Sequence, residues 1–468
     1  MRIRVILVLS FSLSVLVGCQ GRAVRMDASP GDLGGMYVYL RPMPDAAMRL
    51  RIVLESVAAV KSEGELVPLE LRVREIDGRA AGRQRLLAYG RVPPGSYRGL
   101  ALNIEGAWLR GEEGEGALLV PKEPVFVAVP LIVGKEGAAL AEVAYHAVGA
   151  VDRGIRLDSE LSAYVPVKPV FSRVGYAASF GGNHLAVFDR STLEVVSVIG
   201  VGRGPSAISV DEGEKRAFVA LSEEDAVEVV DIPSGQVVAR IRLRAGDRPE
   251  SLVFAPNRIL LSANKGSDTV SFIDVRSAVE IERIEVGDEP EFVLMDRQSR
   301  RAYVFNSRSH SISVIDVGRR AVVGSMATEA GPFRGAFNRA SDRLYVIHRD
   351  SPYMTVIDAN TLERHARILV GMGSSVVHVD RDTNLIYLGK RDSAVVDIYD
   401  PFSLLPIDFL EVPEGPSGMV IDREGNRLLL ALPREGMVSA VDLATKRIRA
   451  VMDVGRGPLS LGIMGERR

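Results

Sequence analysis

The sequence contains few of the residues that common binding chemistries require, with one cysteine, Cys19, and one tryptophan, Trp108, among 468 residues. A single thiol excludes an intrachain disulfide, a cysteine-based zinc site and the paired cysteines that attach haem. The formal net charge is only −2, and there is no run of Lys and Arg. Nucleic acid is therefore not an expected partner, and the 47 % hydrophobic content is that of an ordinary globular protein.

The first residues have the pattern of a secretory signal. Arg2 and Arg4 precede an apolar run, Val5 to Val17, which is too short to cross a bilayer comfortably. The run ends in Leu16-Val17-Gly18-Cys19, which resembles the lipobox of bacterial lipoproteins. The alternatives are an uncleaved anchor and a plain signal peptide with a chance cysteine.

The lipobox resemblance implies that residues 1–18 are a cleaved signal peptide and that Cys19 carries acyl chains, which would tether the protein to a membrane. Gln20 follows the cysteine, and by the same resemblance the absence of Asp there implies the outer membrane of a Gram-negative cell. The side of the membrane that the protein faces stays open. The small and polar residues that follow predict a lipidated spacer over 19–35.

Residues 36–150 are predicted to form a small β-sandwich, because short apolar runs such as Tyr37 to Leu40 and Val125 to Ile132 recur between turn signals. The stretch Val92 to Leu100 contains the order Pro-x-Gly-x-Tyr and resembles one hairpin of transthyretin-like lipoprotein sandwich domains. Residues 151–171, with prolines near their end, are predicted to be a linker.

A repeat of about 42 residues organises the rest of the chain. Seven runs end in an aspartate, and successive aspartates are 43 residues apart once and 42 otherwise. These are Asp189, Asp231, Asp274, Asp316, Asp358, Asp400 and Asp442. A turn with proline recurs in the same register, at Pro205, Pro249, Pro290, Pro332, Pro416 and Pro458, with Ser374 in that place once.

Each repeat accommodates four short strands, which is the content of one β-propeller blade. The repeats therefore predict an all-β fold, in which a seven-bladed β-propeller over residues 172–468 follows the β-sandwich. The chain enters at the second strand of blade 1, Arg173 to Ser179, whereas Pro458 to Met464 has the pattern of an innermost strand. We expect this last strand to complete blade 1 and close the ring, which leaves no exposed sheet edge at the junction.

The run Tyr303-Val304-Phe305-Asn306, followed by Ser313-Val314-Ile315-Asp316, resembles the YVTN-type repeat of microbial surface and secreted β-propellers. The resemblance covers residues 172–464. In other repeats a different residue takes the position of Asn306, namely Leu221, His348, Lys390 or Leu432. No common ligand is implied, and the position of Trp108 outside the repeats disfavours WD40 and quinone-cofactor dehydrogenase propellers.

The loops at one end of a propeller commonly carry function, and four residues are predicted to meet at that end of the channel. Glu250 and Glu291 each follow the turn proline of an inner strand, while Asn264 and Asn306 end the second strands of the same two blades. Two carboxylates and two amide oxygens suit a hard cation such as calcium. These four residues are the candidate metal site.

The following blades carry basic residues in the equivalent sector, namely Arg334, His348, Arg349, Lys390 and Arg391. Such a mouth would be acidic on one side and basic on the other, and would orient a charged ligand. The alternative is that these charges are only a solvated rim. His184 and His310 are placed beside the same rim, and His378 is interpreted as a core residue of an inner strand, so a copper cluster is not supported.

No nucleophile elbow, His-Glu-x-x-His motif or phosphate loop is evident, so no catalytic residue is assigned. The favoured hypothesis is a non-enzymatic, lipid-anchored protein of the cell envelope whose propeller binds a protein or polysaccharide partner. The alternative is a metal-assisted hydrolase, lactonase-like by architecture alone, in which the candidate metal site polarises a carbonyl. Periplasmic assistance to a redox or assembly complex is a third hypothesis.

Overall fold

The computed structural model describes residues 33–112, 114–146, 151–152, 156–157, 161–167, 170–298 and 300–464. The predicted signal peptide, Cys19 and nearly all of the spacer lie outside these ranges. Within them the chain is built of strands and short 3-10 helices, so the predicted all-β class is confirmed. No helix in the described ranges is long and apolar enough to cross a membrane. The 3-10 helices span Asp45–Ala47, Phe171–Arg173, Phe180–Gly182 and Pro256–Arg258.

The N-terminal domain is dominated by one large sheet. Its strands, in chain order, are β1(Gly34–Leu40), β2(Leu50–Lys61), β3(Leu66–Leu71), β4(Glu75–Asp77), β5(Arg85–Val92), β6(Gly95–Arg110), β7(Glu115–Leu118), β8(Val125–Val133), β9(Ala138–Tyr145), β10(Val151–Asp152), β11(Arg156–Leu157) and β12(Leu161–Tyr164). The sheet order is β12-β9-β1-β5-β3-β2-β6-β7, with β4 beside β2 and β8 beside β6, while β10 and β11 pair separately.

This sheet folds over so that its two halves face each other across one core. Val38 and Val143 of one half belong to the same buried cluster as Leu54 and Leu102 of the other. Strand β8 turns one face toward this core, because its residues alternate between exposed and buried at the period of two that a half-buried strand requires. The domain thus has the sandwich-like form that the alternating runs predict.

Two details of this domain differ from the sequence predictions. The turn at Pro93 joins β5 to β6, but β5 pairs with β1 and β3 whereas β6 pairs with β2, β7 and β8. The predicted hairpin is therefore wrong, because the turn carries the chain from one half of the sheet to the other, where the Tyr97 hydroxyl donates to the Pro93 carbonyl at 2.6 Å. The segment predicted as a linker contributes β12, which pairs antiparallel with β9.

The remaining strands form seven four-stranded antiparallel sheets, the blades of the propeller. From the channel outward they are, in blade 1, β40(Pro458–Ile463), β13(Val174–Ser179), β14(His184–Asp189) and β15(Glu194–Gly200); in blade 2, β16(Pro205–Asp211), β17(Arg216–Leu221), β18(Ala226–Asp231) and β19(Gln236–Arg242); in blade 3, β20(Pro249–Ala255), β21(Ile259–Asn264), β22(Thr269–Asp274) and β23(Val279–Glu285); in blade 4, β24(Pro290–Met295), β25(Arg301–Asn306), β26(Ser311–Asp316) and β27(Ala321–Ala327); in blade 5, β28(Pro332–Phe337), β29(Arg343–His348), β30(Tyr353–Asp358) and β31(Arg364–Leu369); in blade 6, β32(Ser374–Val379), β33(Ile386–Lys390), β34(Val395–Tyr399) and β35(Pro406–Glu411); in blade 7, β36(Gly418–Asp422), β37(Arg427–Leu432), β38(Met437–Asp442) and β39(Ile448–Asp453).

The repeated aspartate ends the third strand of each blade and organises the turn to the fourth. In blade 1 the Asp189 carboxylate accepts a hydrogen bond from the Ser191 backbone N–H at 2.6 Å, and in blade 7 Asp442 accepts one from Thr445 at 2.7 Å. The other five aspartates make equivalent bonds to backbone N–H groups two or three residues ahead. A short carboxylate that satisfies turn donors explains why this residue type recurs.

The ring closes as the repeat predicts. Strand β40 at the end of the described chain pairs antiparallel with β13, so blade 1 is built from both ends of the propeller sequence. Neighbouring blades then pack face to face through their second and third strands, as when Phe272 of blade 3 shares a buried cluster with Val304 of blade 4. Burial of such a side chain contributes about 1.5–3 kcal/mol to the stability of the fold, and the same kind of packing recurs at successive blade junctions.

The N-terminal domain packs against blades 1 and 7 rather than standing apart from the propeller. Tyr39 and Leu140 share a buried cluster with Val195 of blade 1 and Met452 of blade 7. The approach of the two backbones is close at Gly200, where a Cβ atom would lie 2.3 Å from the Glu136 carbonyl oxygen. Only glycine fits there without a shift of the backbone, so the two domains are in close contact at this point.

Candidate binding channel

The central channel holds a cavity of about 710 Å³ that reaches from one end of the inner strands to the other. At one end, called here the proline mouth, the inner strands begin, and Pro416, Glu250 and Glu291 line the wall. At the opposite end the strands finish, and Arg297, Arg339 and Arg381 line the wall; these three residues are called the arginine arc. A cavity of this size accommodates a small ligand or an extended chain segment.

The lining is strongly cationic. It contains seven arginines but two glutamates and one histidine. These are Arg297, Arg334, Arg339, Arg349, Arg381, Arg391, Arg434, Glu250, Glu291 and His378. Because arginine stays charged at any physiological pH, the channel attracts anions although the chain as a whole is near neutral.

Glu291 is already paired at the proline mouth. Its carboxylate accepts hydrogen bonds from the Lys265 ammonium at 2.8 Å and from the Arg349 guanidinium at 2.9 Å. Burial acts to raise the pKa of Glu291, but these two cations outweigh burial and hold the pKa below its usual value. The side chain is therefore a fixed anion at neutral pH and is saturated by partners from blades 3 and 5.

Glu250 and Arg334 lie in the same cavity without such partners. Neither side chain makes a hydrogen bond or an ion pair within the described residues. Burial raises the pKa of Glu250, with Lys265 opposing and Glu291 adding to the effect. Burial also lowers the pKa of Arg334 although both glutamates oppose it, and its guanidinium carbon lies 5.8 Å from the centre of the Phe292 ring. The hydrogen-bonding capacity of both side chains is therefore open to a ligand.

The two predicted asparagine ligands do not face the glutamates. The Asn264 amide nitrogen donates to the Ser271 hydroxyl at 2.7 Å, and its oxygen accepts from the Ser262 hydroxyl at 2.9 Å, all within blade 3. Asn306 likewise donates to Ser313 at 2.9 Å within blade 4. Both are fully buried between strands; the Asn264 amide is satisfied inside its own sheet, whereas the Asn306 amide oxygen has no partner among the described residues.

The basic residues predicted for the following blades separate into two groups. His348 is fully buried and its Nδ1 lies 2.9 Å from the Tyr353 carbonyl, while burial lowers its pKa. Lys390 is paired with Asp397 of its own strand neighbour at 2.7 Å. Arg334, Arg349 and Arg391 line the cavity, whereas His348 and Lys390 contact residues of their own blades.

The four candidate calcium ligands are thus not brought together as one set. Glu291 would have to exchange Lys265 and Arg349 for a metal, and Asn264 would have to give up its bonds to serine hydroxyls. No group of three or more His, Cys, Asp or Glu residues suited to a metal occurs in the described part of the chain. Calcium binding stays a prediction, and the lactonase-like hypothesis that depends on it gains no supporting geometry here.

The opposite end of the channel was missed by sequence reasoning, which considered only the proline mouth. His378, interpreted as a core residue, lines the cavity there, and burial with the positive charges of Arg381 and Arg423 lowers its pKa to about 4. The signal that could have found this end is an arginine that follows the inner strands of blades 4 to 7 at 42-residue spacing, at Arg297, Arg339, Arg381 and Arg423.

The remaining histidines near the rim have structural partners. His184 is buried where the two domains meet, with its Nδ1 2.8 Å from the Tyr37 hydroxyl. His310 accepts a hydrogen bond from the Gly331 backbone N–H at 3.0 Å, in the turn that leads into blade 5. Neither histidine faces the cavity.

Comparison with known proteins supports the fold. Residues 178–383, less than half of the chain, match the family model of YNCE-like β-propellers, in agreement with the repeat family that the sequence motifs indicated. No curated protein matches the chain. A solved protein described as functionally unknown, from Desulfotomaculum acetoxidans, is similar at 10 % identity with a TM-score of 0.55, over 62 % of this chain and 99 % of that one. This likeness shows the fold alone.

A second solved structure, a chain of the hydrazine synthase from Kuenenia stuttgartiensis, is similar at 22 % identity with a TM-score of 0.48. The match covers 55 % of this chain and 88 % of that one. A likeness at this level supports no statement about function. The protein is therefore a two-domain, all-β molecule with a seven-bladed propeller, a fold used as a binding or scaffold module.

Proposed function

We propose that this protein is a lipid-anchored component of a bacterial cell envelope whose propeller binds an anionic group of a protein or polysaccharide partner. The observation that carries the proposal is Arg334, which lies in the channel with no hydrogen-bonding or ion-pair partner among the described residues. Its side chain is partly exposed to the cavity, so its N–H donors are accessible to a ligand. A bound ligand would supply that partner.

The surroundings of Arg334 favour a ligand with mixed chemistry. Glu250 offers a second open polar group in the same cavity, and Phe292 and Phe333 supply apolar wall. A carboxylate would pair with the guanidinium fork of Arg334, and a neighbouring hydroxyl or amine would donate to Glu250. Acidic sugars and acidic peptide segments both present these groups side by side.

The location in the envelope is inferred from the N-terminal sequence. The lipobox-like Leu16-Val17-Gly18-Cys19 and the residue Gln20 support acylation at Cys19 and residence in the outer membrane. A tether at this point would leave the N-terminal domain between the membrane and the propeller, since residues 33–167 of the described chain precede the first blade. The propeller would then be presented to envelope partners beyond the N-terminal domain.

Affinity capture from detergent-solubilised envelopes tests the proposal. Immobilised full-length protein is compared with Arg334→Gln and with Arg276→Gln, an exposed arginine on an outer turn of blade 3. We expect a reproducible partner on the wild type and on Arg276→Gln, and recovery about tenfold lower on Arg334→Gln, as the loss of one charge-assisted pair predicts. Equal recovery on all three proteins, or no reproducible partner, would contradict the proposal.

A further inference from the structure

The arginine arc occupies the same position in three successive blades. Arg297, Arg339 and Arg381 are spaced by 42 residues and each lies one residue beyond an Asp or Asn that follows the inner strand. All three are exposed and line the channel at the end opposite the proline mouth. In blades 2 and 3 the equivalent residues are Glu212 and Pro256, so the arc covers one side of this mouth only.

The guanidinium groups of the arc are not neutralised by the protein. Arg297 donates to the Arg339 carbonyl at 3.4 Å, and Arg339 donates to the Asp382 carbonyl at 3.5 Å, each on the next blade. Arg381 makes no hydrogen bond or ion pair within the described residues. None of the three forms an ion pair with a described carboxylate, and backbone carbonyls occupy only one N–H group of each of the first two.

The acidic residues nearby are committed elsewhere. Asp296 accepts from the Arg300 backbone N–H at 2.8 Å, and Asp380 accepts from the Asp382 N–H at 3.0 Å and from the Thr383 hydroxyl at 2.6 Å. Asp382 lies 3.4 Å from Arg423, the fourth arginine of the series. These carboxylates fix the turns, so their bonds hold the arc in place without pairing with it.

His378 lies close to the arginine arc. It lines the cavity on the strand that leads to Arg381. Burial, Arg381 and Arg423 together lower its pKa to about 4, with Asp380 opposing. The histidine is therefore neutral at neutral pH, and the positive charge at this mouth is that of the arginines.

We propose that the arginine arc binds a linear polysaccharide that carries carboxylates, with its acidic groups paired to arginines of neighbouring blades. The inference rests on the proposed binding function and places a second contact at the far end of the channel. Planar guanidinium groups match carboxylates in a bidentate manner, and a row of them on successive blades matches a repeating acidic chain. Single-stranded nucleic acid fits less well, because it needs exposed aromatic rings for stacking, whereas Phe337 beside the arc packs on Tyr303 with ring centres 5.1 Å apart.

Binding of polygalacturonate fragments by the full-length protein, measured by calorimetry at low and at physiological ionic strength, tests the inference. The variant Arg297→Gln/Arg339→Gln/Arg381→Gln removes the arc. Its matched control is Arg276→Gln/Arg319→Gln/Arg320→Gln, which removes the same charge from exposed outer turns of blades 3 and 4. Neutral dextran, tripolyphosphate and oligothymidine serve as comparison ligands.

We expect the wild type and the control triple variant to bind polygalacturonate alike, and the arc variant to bind at least about tenfold more weakly. Replacement of the three arginines by lysine should give intermediate affinity, because lysine keeps the charge but loses bidentate geometry. Absence of wild-type binding, equal loss in the control, or tighter binding of tripolyphosphate or oligothymidine would overturn the assignment. Arg334→Gln, at the proline mouth, separates failure of this inference from failure of the proposed function. If polygalacturonate binding is lost in Arg334→Gln but kept in the arc variant, the proposed channel function stands and the role of the arc is rejected.

Discussion

The Tyr37 hydroxyl of the N-terminal domain lies 2.8 Å from Nδ1 of His184 in blade 1. On the other side of the ring, Nε2 lies 2.8 Å from the Val454 carbonyl of the blade 7 edge. A carbonyl can only accept, so Nε2 carries the proton and Nδ1 accepts from the tyrosine. Burial lowers the pKa of His184 and so favours the neutral form, in which one imidazole links three parts of the molecule.

The first prediction concerns the pH dependence of stability. Burial lowers the pKa of His184 below its ordinary value, so the unfolded chain binds a proton more readily than the folded one. The stability from neutral His184 is present above the unfolded pKa of about 6.5 and is lost as pH falls below it. Urea unfolding at several pH values should show a free energy of unfolding that decreases toward acid.

The variant His184→Asn isolates this contribution. His348 and His378 also have lowered pKa values and add to the slope of the wild type. Their contribution cancels when the free energy of unfolding of the variant is subtracted from that of the wild type. This difference should shrink as pH falls from about 7 to about 5. A difference that is constant over this range would mean that His184 does not change its protonation on unfolding.

The second prediction concerns Asp453, at the edge of blade 7. Its carboxylate accepts from Arg83 at 3.1 Å, from Arg85 at 3.0 Å and from the Leu86 backbone N–H at 3.0 Å, all in the N-terminal domain. The side chain is 8 % exposed, so its partners cannot be replaced easily by water. We expect Asp453→Asn to lower the free energy of unfolding by about 2–4 kcal/mol.

The matched control is Asp408→Asn, which breaks an ion pair with Lys446 on an outer surface of the propeller. Exposed pairs contribute about 0.2–1 kcal/mol, so this loss should be small. Chemical unfolding of the two variants gives the comparison. Similar losses would show that the contacts of Asp453 do not stabilise the domain interface.

The propeller could be predicted from the sequence because its geometry repeats. Each blade needs the same turn before its inner strand and the same aspartate after its third, so Pro290 and Asp316 recur elsewhere as Pro332 and Asp358. The closing strand β40 followed from the same register. Departures from the repeat, such as Lys390, were harder to interpret, because a change of residue at a repeated position signals either a ligand or a new local partner.

The domain interface and the channel lining could not be predicted in this way. Tyr37 and His184 are 147 positions apart and belong to no common repeat, so no pattern links them. Arg334 and Glu250 were found as charges near a mouth, but whether they were paired depends on rotamers and on neighbours such as Lys265 and Arg349. Burial and pairing depend on how the blades pack in the ring. The spacing of residues in one sequence does not show which side chains become buried or paired.

The third prediction concerns the membrane tether. Cys19→Ser removes the only thiol of the chain and with it any thioether-linked lipid. We expect the variant to move from the membrane fraction to the soluble fraction of cells and to lose incorporation of labelled fatty acid. The conservative change Gly18→Ala keeps a small residue before the cysteine and should leave both readouts unchanged. Continued labelling of Cys19→Ser would contradict lipidation at this residue.

The fourth prediction decides whether the repeat departures are structural. Lys390 and Asp397 pair in blade 6 at the positions where Asn306 and Ser313 pair in blade 4. Lys390→Asn or Asp397→Ser alone leaves a partly buried charge unpaired and should cost about 1–2 kcal/mol of unfolding free energy.

The double variant Lys390→Asn/Asp397→Ser rebuilds the pair found in blade 4, so it should be more stable than the sum of the single losses by about 1 kcal/mol or more. The same variants should bind any channel ligand as the wild type does, because neither side chain lines the cavity. Additive losses in stability, or weakened ligand binding by the double variant, would indicate that Lys390 contacts the ligand. The cycle therefore separates a residue that departs from the repeat to suit its own blade from one that departs to suit a partner.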